Sequence, residues 1–461
     1  MKNHSILKHL LLAFALGVST QVAAKNTATP AKTQSVESDS HSTVSKEKAT
    51  PKASKSTVTV KDKKAAALAP ERLSIMSFNV ENLFDTIDDP TKEDETYLPK
   101  KLKKNNPEIA MRCQRLLRDY WREQCLKTDW TERRLKRKMH RLADVIRKAN
   151  NKKGPDVLIM PEIENLGILE RFRKEYLSDL YPEKAILIEG PDTRGIDVGI
   201  LTRLKLKSEP TLHQMKFVAN EIIKEEDIRP TRGILETELL LPTGESLFVF
   251  GVHFPSQGAP TEHRRQALAQ LVELMKSKPQ DSYIVAGGDF NITREEDADH
   301  KYFVNVHESG MQVSHFVGCK GCRGTHYFHP KRSWSFLDAL IFAGRFTDAS
   351  SPWQFEKESV QVFNKSIYQV NRFGSPARFG LGNTKEGVSD HWPIMADITY
   401  KKPIPKPQLI LGDSSAVQLK EITSSSALDK NNSVLTDSKK KVIPLNKAAK
   451  PESSPSLKKA L

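Results

Sequence analysis

Several of the most apolar stretches of this chain end on residues that are costly to bury. Asn79 interrupts Leu73–Val80, Glu162 follows Asp156–Pro161, and His253 ends the run that begins at Leu247. Asp289 and Asn291 lie in Ala286-Gly287-Gly288-Asp289-Phe290-Asn291, Asp338 lies within Trp334–Phe342, and Asp390-His391 precede Trp392–Ala396. A carboxylate, amide or imidazole in such a place loses its hydration and must be compensated by a partner or an ion. Carboxylate oxygens suit Mg²⁺ or Mn²⁺, with Ca²⁺ a further oxygen-bound option; imidazoles supply protons and hydrogen bonds near neutral pH. Any one of these side chains alone reads more readily as a satisfied turn residue than as a ligand. Their shared placement at strand ends is what singles them out.

The elements that must carry them alternate between strand and helix. Residues 73–80 alternate as a strand does, and 156–160 form the short apolar run of a buried strand. Further strands are expected at 184–188, 197–202, 234–240, 246–253, 283–288, 336–342 and 393–399, with 234–240 and 246–253 joined through Pro242-Thr243-Gly244. Between the first two strands Leu135, Met139, Leu142 and Ile146 recur at helical spacing, while Arg133, Arg134, Arg137, Lys138 and Arg141 are read as a basic outer face. A helix at 261–276 takes Thr261 as its cap. Many strands and few long helices in one continuous apolar pattern imply packed sheets with outer helices.

Composition sets the limits of this region. The chain has 461 residues, 72 Lys and Arg against 57 Asp and Glu, and a formal charge of +15. Residues 1–24 combine Lys2, Lys8, the apolar stretch Leu10–Val18 and a small-residue exit at Ala23-Ala24, the pattern of a secretory signal peptide cleaved after Ala24. No other apolar run approaches the ~18–20 residues of a membrane span, which excludes an integral membrane protein. Residues 25–69 and 401–461 are Lys-, Ser- and Pro-rich and poor in large apolar side chains, and read as a disordered tether and a disordered basic tail. Those two segments and the signal hold nearly all the excess charge, leaving +1 for residues 70–400. Within that core, residues 100–148 hold 17 basic and 6 acidic groups. The basic surplus of this insertion lies beside an acidic remainder, which favours a phosphate-backbone contact surface over an ordinary solvated face. Tyr120, Trp121 and Trp130 are its candidates for stacking on bases.

In order, SFNVENLF (77–84), DVLIMPEIEN (156–165), VHFPSQ (252–257), GGDFN (287–291), WSFLDALIF (334–342) and SDHWPI (389–394) resemble the endonuclease/exonuclease/phosphatase superfamily, and VHFPSQ followed by Glu262-His263-Arg264-Arg265 is most similar to its bacterial exported nuclease-like members. The resemblance spans residues 73–399. It implies a four-layer α/β sandwich of two packed mixed β-sheets with outer helices, and metal-dependent hydrolysis of phosphoesters. That chemistry needs a metal to neutralise the phosphate, an oriented water and donors for the growing oxygen charge. By the resemblance Glu162 is the principal metal ligand, with Asn79 and Asp390 near it or at a second site. Asp289 orients or deprotonates the water, and Asn291 holds it or a phosphate oxygen. His253 and His391 donate to the scissile phosphate, and Asp338 fixes the tautomer of His391. Arg194, in Asp192-Thr193-Arg194-Gly195-Ile196-Asp197, is placed either on phosphate or in a surface ion pair, and Asp197 behind one of the histidines.

Cys319 and Cys322 behind a signal peptide favour a local disulfide over zinc, for which His315 and His326 would be the partners. Cys113 and Cys125 lie too far apart on one continuous helix to bridge, so either the chain turns between them or they do not pair. The function expected is an exported, monomeric, low-specificity nuclease acting on DNA, RNA or both. The alternatives are a phosphatase or phospholipid phosphodiesterase of inositol-phosphate or sphingomyelin type, and a non-catalytic nucleic-acid- or envelope-binding protein.

Overall fold

Two parallel strand pairs, one in each of two sheets, organise the molecule. The computed structural model describes residues 71–380 and 387–402; the signal, tether and tail expected from sequence lie outside them, apart from Lys401 and Lys402. The described residues begin with β1 (Arg72–Ser77) and a helical insertion of α1 (Lys100–Asn105), α2 (Pro107–Arg115), α3 (Asp119–Lys127) and α4 (Glu132–Lys152). There follow β2 (Val157–Ile163), α5 (Leu166–Tyr176), β3 (Asp197–Thr202), β4 (Lys205–Leu206), β5 (Thr211–Gln214), β6 (Gly233–Leu240), β7 (Ser246–His253) and α6 (Thr261–Lys276). After β8 (Tyr283–Asp289) come α7 (Arg294–His300), α8 (Tyr302–Glu308), β9 (Gln312–Val313) and α9 (Ser314–Val317). A small hairpin of β10 (His326–Phe328) and β11 (Ser333–Ser335) then leads to β12 (Asp338–Gly344), β13 (Trp353–Val362) and β14 (Ile394–Tyr400).

The first sheet has the order β13-β14-β1-β2-β3, and the second runs β4-β6-β7-β8-β12-β9 with β5 against β6. Each is mixed: β1 and β2 are parallel, as are β7 and β8, and their other neighbours are antiparallel. Alternation along the strands builds three cores. Ile75, Ile159, Ile200, Val249, Val285, Leu340 and Ile394 fill the space between the sheets. Met76, Leu158 and Leu201 point the other way, onto Leu135, Met139 and Leu142 of α4 and Phe172 of α5. Phe248, Phe250, Ile284 and Ile341 pack under Leu268 and Leu271 of α6 and Phe303 of α8. The result is helix, sheet, sheet and helix, the four-layer sandwich expected from the sequence.

Two local expectations change, and one question left open by the sequence is settled. Residues 184–188 make only an isolated bridge, Ile186 to Ile200, rather than a strand. Pro260, not Thr261, caps α6, and the Thr261 hydroxyl lies 3.1 Å from that of Tyr302. The insertion is not one helix: the chain turns between α2 and α3, and the turn brings Cys113 and Cys125 to a disulfide with Cα atoms 5.6 Å apart. Cys319 and Cys322 also form a disulfide.

The Gly-Gly of GGDFN is a packing requirement. Gly288 has φ +148°, and a Cβ there would sit 1.9 Å from the Val252 carbonyl oxygen on β7. Gly288→Ala is therefore expected to cost about 3 kcal/mol or more in chemical denaturation. Asp94, in the loop before α1, accepts the Asp89 N–H at 3.0 Å, and burial pushes its carboxyl up to about 7. The folded protein thus holds a proton that the unfolded chain releases above about pH 4, so this group costs stability progressively as pH rises and fully above 7. Asp94→Asn keeps the acceptor and should raise Tm by about 3 °C at pH 8, with the gain shrinking toward pH 4.

Candidate active site

Parallel strands end, and their antiparallel neighbours begin, at one edge of a sheet. The carboxyl ends of β1, β2, β7 and β8 and the amino ends of β12 and β14 therefore share an edge of the sandwich, the usual place for a crevice in α/β sheets. In the second sheet the register is direct: His253 pairs with Asp289, and Asp289 with Asp338, across three adjacent strands. Asn79 crosses from the first sheet, its Nδ2 donating to Asp289 Oδ2 at 3.0 Å and Glu162 Oε1 at 3.2 Å.

Backbone irregularities aim the side chains. The β2–β3 register shifts between Pro161 and Ile163, and Glu162 adopts φ 72°. A left-handed glutamate costs on the order of 1 kcal/mol, and the bulge turns its carboxylate off the strand toward Asn79. Asn291 has φ 53°; its N–H donates to Asp289 Oδ1 at 2.8 Å and its Nδ2 to the Phe254 carbonyl at 3.1 Å. In this structure Asn291 holds the turn that presents Asp289.

The histidines converge on the same carboxylate. His253 Nε2 lies 3.8 Å from Asp289 Oδ2 and 3.9 Å from Glu162 Oε1. His391 Nε2 lies 3.9 Å from Asp289 Oδ2, and its Nδ1 donates to Asp338 Oδ2 at 2.6 Å. Burial pushes Asp289 up to about 7, opposed by His391 and reinforced by Asp338 and Glu162. Burial also opposes charge on His391, but Asp338, Asp289 and Asp390 outweigh it and hold the ring well above the usual histidine range. His253 goes the other way: burial, then the charges of Arg232, Arg194 and His391, keep it neutral. The two imidazoles that flank Asp289 are thus shifted in opposite directions, His391 toward the protonated form and His253 toward the neutral one.

The loop before β14 is tied into this arrangement. Ser389 Oγ donates to the Asn79 carbonyl at 2.7 Å and accepts the His391 N–H at 3.0 Å. Asp390 forms an ion pair with Arg378 at 3.1 Å, and Arg378 also donates to Glu81 at 2.8 Å. Lys138 donates to the carbonyls of Glu81 and Val388 at 3.0 and 2.7 Å. It is fully buried, so it belongs to the inner side of α4 and not to the outer basic face. Burial draws its ammonium down to about 8. Arg134 is also buried, and Arg141 donates to the Gly387 carbonyl at 2.9 Å. Much of the expected outer face is therefore structural.

Other predicted residues are placed as follows. Arg194 is half-exposed, with Nε 3.8 Å from Asp192 Oδ1, and its charge is felt by His253. Asp197 does not support a histidine; it accepts the Gly190 N–H at 2.9 Å, and burial pushes it up to about 7. Trp130 cannot stack on a base, because it is fully buried with its Nε1 donating to the Phe84 carbonyl at 3.1 Å. His315 stacks on Phe336, and His326 lies beside His391 with ring centroids 5.0 Å apart, so neither serves the disulfide-bonded Cys319 and Cys322. His326, Asp390 and His391 can bring ligand atoms within 4.8 Å of one another.

Arg232 was not anticipated. It is buried, its Nε lies 3.4 Å from Asp192 Oδ2, and the carboxylates of Glu162 and Asp289 both act on it. Burial and Arg194 draw it down to about 10. Its signal was the one used for the others, a charged residue at the end of an apolar strand, here Gly233–Leu240.

Comparison with known proteins gives one family. The model of the Endonuclease/Exonuclease/phosphatase family matches residues 74–119 and 118–400. Among solved structures, zebrafish (D. rerio) TDP2 complexed with a single-strand DNA product is 16% identical and covers 72% of this chain and 100% of its own, with a TM-score of 0.40. The endonuclease/exonuclease/phosphatase from Bacteroides vulgatus is 14% identical, covering 72% and 99%, with a TM-score of 0.43. The mannosyl-6-phosphatase of Bacteroides thetaiotaomicron VPI-5482 is 13% identical, covering 71% and 100%, with a TM-score of 0.43. No curated protein matches. With its family model matched over most of the described residues, the chain belongs to the endonuclease/exonuclease/phosphatase family, whose hydrolases act on phosphoester bonds.

Proposed function

We propose that this chain is an exported, metal-dependent phosphodiesterase that cuts nucleic acid with little regard to base sequence. The observation that carries the hydrolytic reading is the meeting of Glu162, Asp289, His253 and the His391–Asp338 pair around the Asn79 amide. The donor set fits a divalent cation of the Mg²⁺ or Mn²⁺ kind: Glu162 and Asp289 are hard oxygen donors facing one cleft, and their protein partners are the shared Asn79 amide, the Asn291 N–H on Asp289, and two imidazoles. Asp390 and His326 would hold a second ion. When bound, the metal neutralises phosphate charge and activates a water. The residues do the rest. Asp289 orients the attacking water and takes its proton. His391, already protonated, donates to a phosphate oxygen; neutral His253 hydrogen-bonds the phosphate, and Arg232 and Arg194 supply positive potential beside it.

Nucleic acid is preferred to a lipid or sugar phosphate because the insertion carries exposed Tyr120 and Trp121 among its basic groups. Export is supported by the signal-like residues 1–24 and by the two disulfides. Purified protein should nick plasmid DNA or degrade RNA with Mg²⁺ or Mn²⁺, and chelator should stop it. Release of phosphate from inositol phosphates or cleavage of sphingomyelin, with DNA and RNA untouched, would replace the nuclease reading by the phosphatase or lipid one.

A further inference from the structure

A cavity of about 500 Å³ lies between the α2–α3 hairpin and the site. That volume is within the ~300–1,000 Å³ range of small-ligand sites. Its lining includes Tyr97 and Arg194, the second of which the sequence already placed with the candidate site, so the cavity adjoins that site rather than lying apart from it. Its outer wall is the turn Arg115-Leu116-Leu117-Arg118 together with Trp121. Leu117 is 97% exposed and Trp121 49%. Arg115, Arg118 and Arg194 place three guanidinium groups on the lining, against Glu93 and Glu95; Glu95 is already bound by Arg112.

The hairpin is built to hold this wall in place. Asn106 caps α2 through the Glu108 N–H, and the Cys113–Cys125 disulfide, fully buried, crosses from α2 to α3. Lys103, buried on α1, donates to the carbonyls of Cys125 and Thr128 at 2.6 and 3.0 Å. Residues 100–127 contain nine basic and three acidic side chains. A stapled, strongly basic hairpin that leaves a leucine and an indole in solvent beside a catalytic cleft has the features of a ligand wall.

We infer that this cavity receives the nucleotide adjoining the scissile phosphate of a single strand, with its base on Trp121 and its outer phosphate on Arg115 and Arg118. The inference rests on the phosphodiesterase reading of the neighbouring site and deepens it. It makes Trp121 and Arg118 substrate-binding residues, and it makes the disulfide a positioning element that sets the distance between wall and cleft.

The test uses the full chain carrying Asp289→Ala, so that strands stay intact, and a fluorescein-labelled single-stranded oligonucleotide read by anisotropy. Adding Trp121→Ala should raise Kd about tenfold, and Trp121→Phe should restore most of the affinity. Arg118→Ala should weaken binding and lower the salt slope by about one. The Cys113→Ser/Cys125→Ser pair should weaken binding like Trp121→Ala, with circular dichroism unchanged. In the otherwise unaltered enzyme, Trp121→Ala should raise KM for the oligonucleotide without lowering kcat, whereas kcat/KM for bis(p-nitrophenyl) phosphate, which does not reach the wall, should change less than twofold. Oligonucleotide affinity unmoved by Trp121→Ala and Arg118→Ala, or a parallel fall on both substrates, overturns the inference. Weakened binding by these variants in a protein that hydrolyses no phosphoester supports the wall and refutes the phosphodiesterase reading; hydrolysis of the small ester with no affinity for the oligonucleotide does the reverse.

Discussion

Asp289→Ala is expected to lower phosphodiester turnover by at least about 10³-fold while leaving Tm unchanged or higher at pH 8. The loss in rate is expected because Asp289 is the carboxyl on which Asn79, His253 and His391 converge, and a group that both orients and deprotonates the nucleophile contributes about 10²–10⁴-fold through proton transfer alone. On the proposed metal-dependent reading, loss of its oxygen from the cleft adds to this. The gain or neutrality in stability follows from the sign of its shift. Burial pushes Asp289 up to about 7, with Asp338 and Glu162 as like charges nearby. The folded protein therefore becomes less stable as pH rises from about 4 through 7, and at pH 8 the variant escapes that full cost. The lost hydrogen bonds to Asn79 Nδ2 and the Asn291 N–H act in the opposite direction and set the size of any gain. Turnover of bis(p-nitrophenyl) phosphate and a thermal melt on the same preparation check both halves. Undiminished turnover would remove Asp289 from the site's chemistry, and with it the hydrolytic reading of the cleft.

What the sequence made legible was the set of polar residues at strand ends. Strand ends are local: an apolar run, then Asn79, Glu162, His253 or Asp289, needs no knowledge of tertiary contacts, and parallel pairing then brings those ends to one edge. The residues that escaped are those whose role depends on distant chain. Arg378 reaches Glu81 across 297 positions, and no pattern around it distinguishes it from a surface arginine. Lys138 could have been found. It lies three residues after Leu135 and four before Leu142, on the apolar stripe itself, where a lysine must either reach solvent or find acceptors; it finds the carbonyls of Glu81 and Val388. The pairing of Cys113 with Cys125 stayed open because it hinges on whether one helix continues. The non-helical backbone at Leu116 and Arg118, which separates α2 from α3, has no proline or glycine to announce it.

Asp338→Asn should reduce kcat by about 10²–10⁴-fold, with the alkaline side of the pH profile moved to lower pH. Asp338 is fully buried at the start of β12, and on the proposed reading it is a positioning residue that acts through His391, whose Nδ1 lies 2.6 Å from its Oδ2. Its charge is the foremost influence keeping His391 protonated against burial. Neutralising that charge leaves burial to prevail, so the variant's imidazole loses its proton at a lower pH than in the native protein. An enzyme that needs the imidazolium as donor then loses rate as pH rises through the new, lower value, and recovers rate as pH falls. The hydrogen bond itself can persist with the new amide's carbonyl oxygen as acceptor, so orientation is affected less than protonation, and KM should move less than kcat. A merely structural role for Asp338 predicts a different result: a fall in Tm and a uniform loss of rate at every pH. Coincident alkaline limbs in the profiles of the native enzyme and the Asp338→Asn variant would show that His391 does not act as the proton donor.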